Sequence, residues 1–375
     1  MPLKPAIRYL VLWATADCNL DCVYCYRQTR GSETMSRNTA HAALALAASS
    51  GLPFHVQIAG GEPTLAPGVI TTVVERIRNQ QWPATIALQT NGTSMTEDLI
   101  RLCQSHSVDI GMSLDGPPAV HGQSRGRGLE SYRTLGRLAE QDIPVRVTTV
   151  LSSLNVAHLE KLALALSTYP NVRGLALDPL VNLGRAAARP DLVPTPPSVV
   201  AGIRSLFTTV QGLKSRRRTP FSWRELDLVE KALMPQAMAG ASCGSADYCH
   251  ACRGESLAVA PDGRLYPCSQ SVGNPGLQVG TLEAPDWKKL RSTFCGTRLN
   301  GPCETCPLAG RCPGDCPSRL AHEVGPSITC SIYRTLASAL LRTSHDRDPY
   351  LLLQCHRDGT DHPQSSHSAS QGGRL

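Results

Sequence analysis

Aromatic side chains are scarce in this chain, at 5% of 375 residues with 4 phenylalanines and 4 tryptophans. That excludes an aromatic-rich platform on which nucleic-acid bases stack, and a net charge of +7 is too modest to demand nucleic acid by itself. Part of that charge is local, in Lys214, Arg216, Arg217 and Arg218. Such a run reads first as a solvated face and second as a landing site for an acidic or phosphorylated partner. No apolar stretch reaches the roughly 18 residues a spanning helix needs, and Met1 to Pro5 leads into a strand-like run without a secretory signal. Neither nucleic acid nor membrane is therefore expected as a partner, and the expected compartment is the reducing cytoplasm.

Cysteine is what the chain has in excess, 15 in all. Disulfide frameworks belong mainly to small secreted chains, so metal ligation is the better account here. A hydrophobic fraction of 41% permits a sizeable core, and the length fits a core domain with an appended module.

Strand-like and helix-like patterns alternate six times with short connections. Strands are expected over residues 8–14, 54–59, 85–90, 108–114, 145–150 and 172–177, and helices over 36–50, 67–80, 96–106, 131–141 and 155–167. The pattern calls for a parallel α/β sheet whose ligands gather at the carboxyl ends of the strands. Each Gly-rich or polar motif falls on such an end: Gly60-Gly61-Glu62-Pro63, Asn91-Gly92, Asp115-Gly116-Pro117 and Asp178-Pro179. Four prolines between Arg189 and Pro197 then mark a boundary, and helices are expected over 199–212 and 223–238. After Ala239 the chain turns to cysteine, glycine and proline with little periodicity, a composition that needs staples. The tail beyond Cys355 has the composition of a disordered segment.

Cys18, Cys22 and Cys25 have three and then two residues between them, directly after the first strand. Three soft ligands suit an iron–sulfur cluster, whose cubane form takes four and here keeps one iron open. The alternative is a structural zinc knot completed by a distant histidine, although zinc sites usually come as two Cys-x2-Cys pairs. A second array contains Cys252, Gly263, Cys268, then Cys303-x2-Cys306-x5-Cys312-x3-Cys316, and finally Cys330. Zinc is an alternative there too.

The triad, with Tyr24 before its last cysteine, resembles the signature of radical S-adenosylmethionine (SAM) enzymes. The resemblance implies a partial (β/α)6 TIM-type barrel and a 4Fe–4S cluster on Cys18, Cys22 and Cys25. It also implies SAM chelated on the open iron and cleaved reductively to a 5′-deoxyadenosyl radical. Gly60, Gly61 and Glu62 are similar to the family's Gly-Gly-Glu motif, which implies Glu62 at the SAM amino group. Asn91, Ser113 and Asp115 fall on the next strand ends as candidate contacts to SAM or substrate. Arg125 resembles the arginine that binds the SAM carboxylate, with a surface loop arginine as the alternative. Gly184 and Arg185 resemble a motif near the adenine.

The second array is similar to the SPASM domain, the auxiliary-cluster module of radical SAM enzymes that modify peptides and proteins. The resemblance implies two further 4Fe–4S clusters with interleaved ligands. One would lie on Cys303, Cys306, Cys312 and Cys330, the other on Cys252, Cys268, Cys316 and Cys249, with Cys243 or Cys295 as alternatives to Cys249. Cys103 reads as core and Cys355 as incidental. The domain expectation is a radical SAM core at 1–188, a helical bridge at 189–240, the SPASM domain at 241–341 and an extension at 342–375.

The implied function is a maturase that takes hydrogen from a ribosomally made precursor peptide to install a crosslink, served by a reductant such as flavodoxin or ferredoxin. No leader-binding domain is expected before residue 8. The alternative is an anaerobic sulfatase-maturing enzyme forming formylglycine. That group places a catalytic aspartate after the cysteine of the Gly-x4-Cys segment, where this chain has Ser269, and usually has glutamine where this chain has Ala59. A cluster-binding electron carrier is the third possibility, disfavoured by the complete set of strand-end motifs.

Overall fold

The computed structural model describes residues 4–27, 31–234, 248–295, 303, 305–322 and 327–347, with side chains as far as 342. Cys243, Cys355, the end of the helix expected over 223–238 and the tail from 348 lie outside the described residues. The chain divides into a long unit, Met1–Ala337, and a short one, Ser338–Leu375.

Strand and helix alternate as β1 (Tyr9–Thr15), α1 (Arg37–Ala48), β2 (Phe54–Gly60), α2 (Pro67–Asn79), β3 (Ala84–Thr90), α3 (Glu97–Ser105) and β4 (Val108–Ser113). They continue as α4 (Pro118–Ser124), α5 (Gly128–Glu140), β5 (Val145–Leu151), α6 (Leu159–Ser167) and β6 (Val172–Pro179). The six strands pair in parallel and in sequence order, the sheet of a partial (β/α)6 barrel. Alternation along each strand sorts its side chains. Val56, Ile58, Ile86, Leu88, Ile110 and Met112 are at most 2% exposed. Their neighbours His55, Gln57, Ala87, Gln89 and Gly111 line cavities inside the barrel.

One helix, α4, was not expected. Gly116-Pro117-Pro118 reads as a turn, yet proline is well suited to the first position of a helix, where no N–H bond is needed. Pro118 starts α4, and Arg125 caps its far end.

Beyond β6, α7 (Pro196–Lys214) starts from Thr195, whose side chain accepts from the Ser198 amide. β7 (Ser222–Trp223) pairs with β6 and leads into α8 (Arg224–Leu233). The basic run is only partly a solvated face. Arg217 donates to the carbonyls of Leu166, Tyr169 and Val172 at 3.2, 3.2 and 2.8 Å, latching the end of α6.

The cysteine-rich region joins the main sheet. β8 (Ser256–Val259) pairs in parallel with β1 and antiparallel with β9 (Leu265–Tyr266), completing a nine-stranded order β7-β6-β5-β4-β3-β2-β1-β8-β9. Leu257, Val259, Leu265 and Tyr266 are fully buried, so this hairpin brings apolar anchorage to a region otherwise made of loops. Helices α9 (Trp287–Ser292), α10 (Pro317–Leu320) and α11 (Ile328–Arg347) follow. Among the described residues no helix is long and apolar enough to cross a membrane.

Candidate active site

A cavity of about 630 Å³ opens over the carboxyl ends of the strands, lined by Cys18, Cys22 and Cys25 on one part of its wall and by Cys249, Cys268 and Cys316 on another. The loop carrying the first three is fixed through its backbone. The Cys25 amide donates to Cys22 O at 3.2 Å and the Val23 amide to Ser124 O at 2.9 Å. The Arg185 amide donates to Cys25 O at 2.9 Å, while its guanidinium reaches Asp21 O at 3.0 Å and pairs with the Asp21 carboxylate.

Two glycines permit the approach of neighbouring chain. Gly184 has φ of +56°, and a Cβ there would overlap Cys25 O. A Cβ on Gly61 would overlap Asp17 O. Gly184 and Arg185, expected near the adenine, thus lie against the cysteine loop and outside the cavity lining.

Asp115 also lies outside the lining, at 1% exposure. Its carboxylate accepts from the Tyr24 hydroxyl, from Ser124 Oγ at 2.8 Å and from the Val150 amide at 3.0 Å, and it forms an ion pair with Arg125 Nε at 3.0 Å. Arg125 lies 5.4 Å from the Tyr24 ring and does line the cavity. Asp115 therefore positions Tyr24, between Cys22 and Cys25, together with Arg125.

Glu62 lines the cavity while 1% exposed. Its Oε1 accepts from Thr64 Oγ1 at 2.7 Å and Thr90 Oγ1 at 2.6 Å, and its Oε2 from the Asn91 amide at 2.7 Å. Burial raises its pKa and these bonds oppose the rise. Asn91 and Ser113 both line the cavity; the Asn91 side chain is bonded to Asn19 and Thr93, and Ser113 accepts from Gln89 Nε2 at 3.0 Å.

Burial pushes the Cys22 thiol up to about 11 against the pull of Arg125, and it raises Cys18 as well. Thiols held this way ionise only when a cation takes up the charge, which metal binding would provide. In the second array Cys249 and Cys252 lie 3.6 Å apart, sulfur to sulfur, and the hydrogen bond between them lowers Cys249 and raises Cys252. Burial raises Cys268 and Cys316, and the two thiols bear on each other electrostatically. Cys303, Cys306 and Cys312 sit on irregular backbone and Cys330 in the first turn of α11, none of them lining the cavity. Among the described residues, no three His, Cys, Asp or Glu side chains converge closely enough to hold a single metal ion.

Ser269 joins the two regions. Its Oγ accepts from Trp13 Nε1 at 3.1 Å and lies 3.0 Å from the Tyr26 hydroxyl, with Tyr26 next to Cys25 and Ser269 next to Cys268. Composition and spacing gave no sign of this contact across the fold, nor of the pairing of Asp178 with Arg224 at the cavity wall.

Residues 14–166 match the model of the radical SAM superfamily. The chain carries a radical SAM domain. Such a domain implies SAM and a 4Fe–4S cluster. The chain is 26% identical over 349 residues to a serine-type anaerobic sulfatase-maturating enzyme of Klebsiella aerogenes, covering 86% of the chain and 82% of the relative. It is 30% identical over 161 residues to the mycofactocin maturase MftC of Mycobacterium tuberculosis, covering 41% of the chain and 40% of that protein. It spans 62% of an uncharacterised Methanocaldococcus jannaschii relative and 45% of an AdoMet-dependent heme synthase of Methanosarcina barkeri.

Among solved structures, native anSMEcpe with bound AdoMet superposes with a TM-score of 0.71 at 19% identity, covering 91% of this chain and all of that one. Streptococcus suis SuiB bound to its precursor peptide SuiA gives 0.63 at 15% identity, covering 86% and 74%. At these identities the likeness concerns the fold.

Proposed function

We propose that this protein is a radical SAM maturase acting on a ribosomally made precursor peptide. The observation that carries the reading is the single cavity lined by both thiol sets, with Glu62 and Arg125 beside the first. The donor chemistry fits: three thiols for a cluster with one open iron, a carboxylate for an ammonium group and a guanidinium for a carboxylate. A Cβ would fill the close approach at Gly61. Cys18, Cys22 and Cys25 would hold the cluster, and Glu62, Arg125 and Ser113 would hold SAM. When bound, that pair supplies hydrogen-atom abstraction from unactivated carbon. The chain's own work is to orient the substrate carbon, keep water out and hold the cysteine loop rigid.

Cys249, Cys252, Cys268 and Cys316 would carry one auxiliary 4Fe–4S cluster, and Cys303, Cys306, Cys312 and Cys330 a second. A flavodoxin or ferredoxin would supply the reducing electron.

Sulfatase maturation is the second reading, favoured by the extent of the match to the Klebsiella enzyme. Against it, Ser269 has no carboxylate to offer, and its hydroxyl is engaged by Trp13 and Tyr26. The test is anaerobic reconstitution with iron and sulfide, then incubation with SAM, a reductant and either any short peptide found to be encoded beside the gene or a sulfatase-derived peptide. Mass loss or crosslinking in the precursor is expected. Formylglycine in the sulfatase peptide alone would overturn the reading.

A further inference from the structure

We propose that Asp178 and Arg224 together grip the substrate by reading the N–H and C=O of its peptide backbone. The inference rests on the maturase reading and deepens it. Among the described residues only two carboxylates line the main cavity, Glu62 and Asp178. Glu62 is buried among the donors named above, whereas the Asp178 side chain is 42% exposed at the end of β6.

Arg224 holds Asp178 in place. Its Nη2 donates to Asp178 Oδ1 at 2.7 Å and to Leu177 O at 2.6 Å, and its Nε to Glu225 Oε1 at 2.7 Å. Glu225 is itself anchored, its buried carboxylate accepting from the Leu177 amide at 3.1 Å. Two of the three guanidinium nitrogens are thereby committed. Nη1 has no partner among the described residues, although the Arg224 side chain is 41% exposed. The pair thus presents an acceptor, Asp178 Oδ2, beside a donor, Arg224 Nη1.

Position and charge say what would fit. Arg224 lines both the main cavity and a second cavity of about 580 Å³, and Gln57, Gln89 and Thr148 line both as well. The pair therefore stands where two spaces meet, a place for an extended ligand rather than a single small molecule. Its charges cancel, so a free carboxylate or phosphate would meet Asp178 and a free ammonium would meet Arg224. A neutral amide offers one donor and one acceptor and pays neither repulsion. The second cavity mixes both signs as well, with Arg146, Lys231 and Arg224 itself against Asp109 and Asp227. Other polar groups on the main wall are engaged elsewhere: Arg125 with Asp115, Arg319 with Asp315, Arg27 with Ala16 O, His250 with Glu255, and Ser269 with Trp13 and Tyr26.

The experiment selects displayed short random peptides on the reconstituted full-length protein, then measures the affinity of the enriched peptides for wild type, D178N and R224K. Asp178→Asn turns one acceptor into a donor, and Arg224→Lys keeps the charge while losing the second donor. Iron content and unfolding midpoint qualify each variant; should R224K loosen α8, D178N at its half-exposed site carries the test. The expected result is binding weaker by about tenfold or more in both, the scale of one hydrogen bond to a charged group. Affinities within twofold of wild type would overturn the inference and leave the maturase reading standing. Failure of wild type to enrich any peptide would overturn that reading, and the inference with it.

Discussion

Between Asp17 and Arg27 the chain carries three cysteines on a loop gripped by parts of the barrel remote in sequence: Gly61 after β2, Asp115 after β4, Ser124 on α4 and Arg185 after β6. The cysteines of the second array that face the same cavity come from segments as far apart as residues 249 and 316, on loops that β8 and β9 tie to the barrel sheet. The first region is preorganised by backbone and buried charge. The second leans on a short apolar hairpin, on one buried ion pair, Asp315 with Arg319 beside Cys316, and on the thiols themselves. A rigid loop suits ligands that must leave one coordination position open and reproducible, while a loop-built region gains most of its order when metal binds.

The comparison can be broken most forcefully at Asp115. Replacing Asp115 with Ala leaves Arg125, 11% exposed at its side chain, without its ion-pair partner. The expected loss is about 3–5 kcal/mol, read by denaturant unfolding, together with loss of SAM binding. A drop below about 1 kcal/mol would mean that the first loop is not held by this pair.

A pH titration probes the same support. His121 is fully buried with Nδ1 accepting from the Asp115 amide at 3.3 Å, and burial, reinforced by Arg125, pushes its pKa down to about 4. In the unfolded chain it titrates near 6.5. Between these values the unfolded state binds more protons, so this contribution to stability is complete above pH 6.5 and is lost as pH falls toward 4, by roughly 3 kcal/mol. In His121→Asn the fall in unfolding free energy across that window should shrink. An unchanged slope would place the titration elsewhere.

Gly184→Ala puts a side chain at positive φ and against Cys25 O. It should cost about 1–2 kcal/mol for the backbone alone, and it should lower iron on the first triad while sparing the second array. Equal losses in both would erase the distinction between the regions. Ser269→Ala should cost about 1–3 kcal/mol by leaving Trp13 Nε1 and the Tyr26 hydroxyl unpaired, read as a lower unfolding midpoint; a neutral substitution would show that the two regions do not depend on this bridge.

The strand ends were legible in the sequence because period-two alternation and Gly-rich stops are local signals. Glu62 and Ser113 stood at such ends, Arg125 was marked only by its resemblance to a family motif, and all three line the cavity. Asp115 was equally visible as a motif, but its place was not. Its partners come from positions 24, 124, 125 and 150, and only folding brings those together. Gly184 and Arg185 were likewise found as a pair and sit against a different neighbour. Helix α4 was hidden by two prolines that read as a turn. Ser269 was noticed as a missing aspartate, and nothing local in sequence announced that Trp13 and Tyr26 would meet it. Local pattern marks which residues matter at a strand end, while side-chain partners drawn from distant segments decide what each one does.

The most direct measurement of the central claim is iron content and 5′-deoxyadenosine formation in an anaerobically reconstituted variant with Cys18, Cys22 and Cys25 all replaced by Ala. The account predicts that SAM cleavage disappears while the iron of the second array stays bound. Cleavage persisting in that variant, or loss of all iron at once, would contradict it.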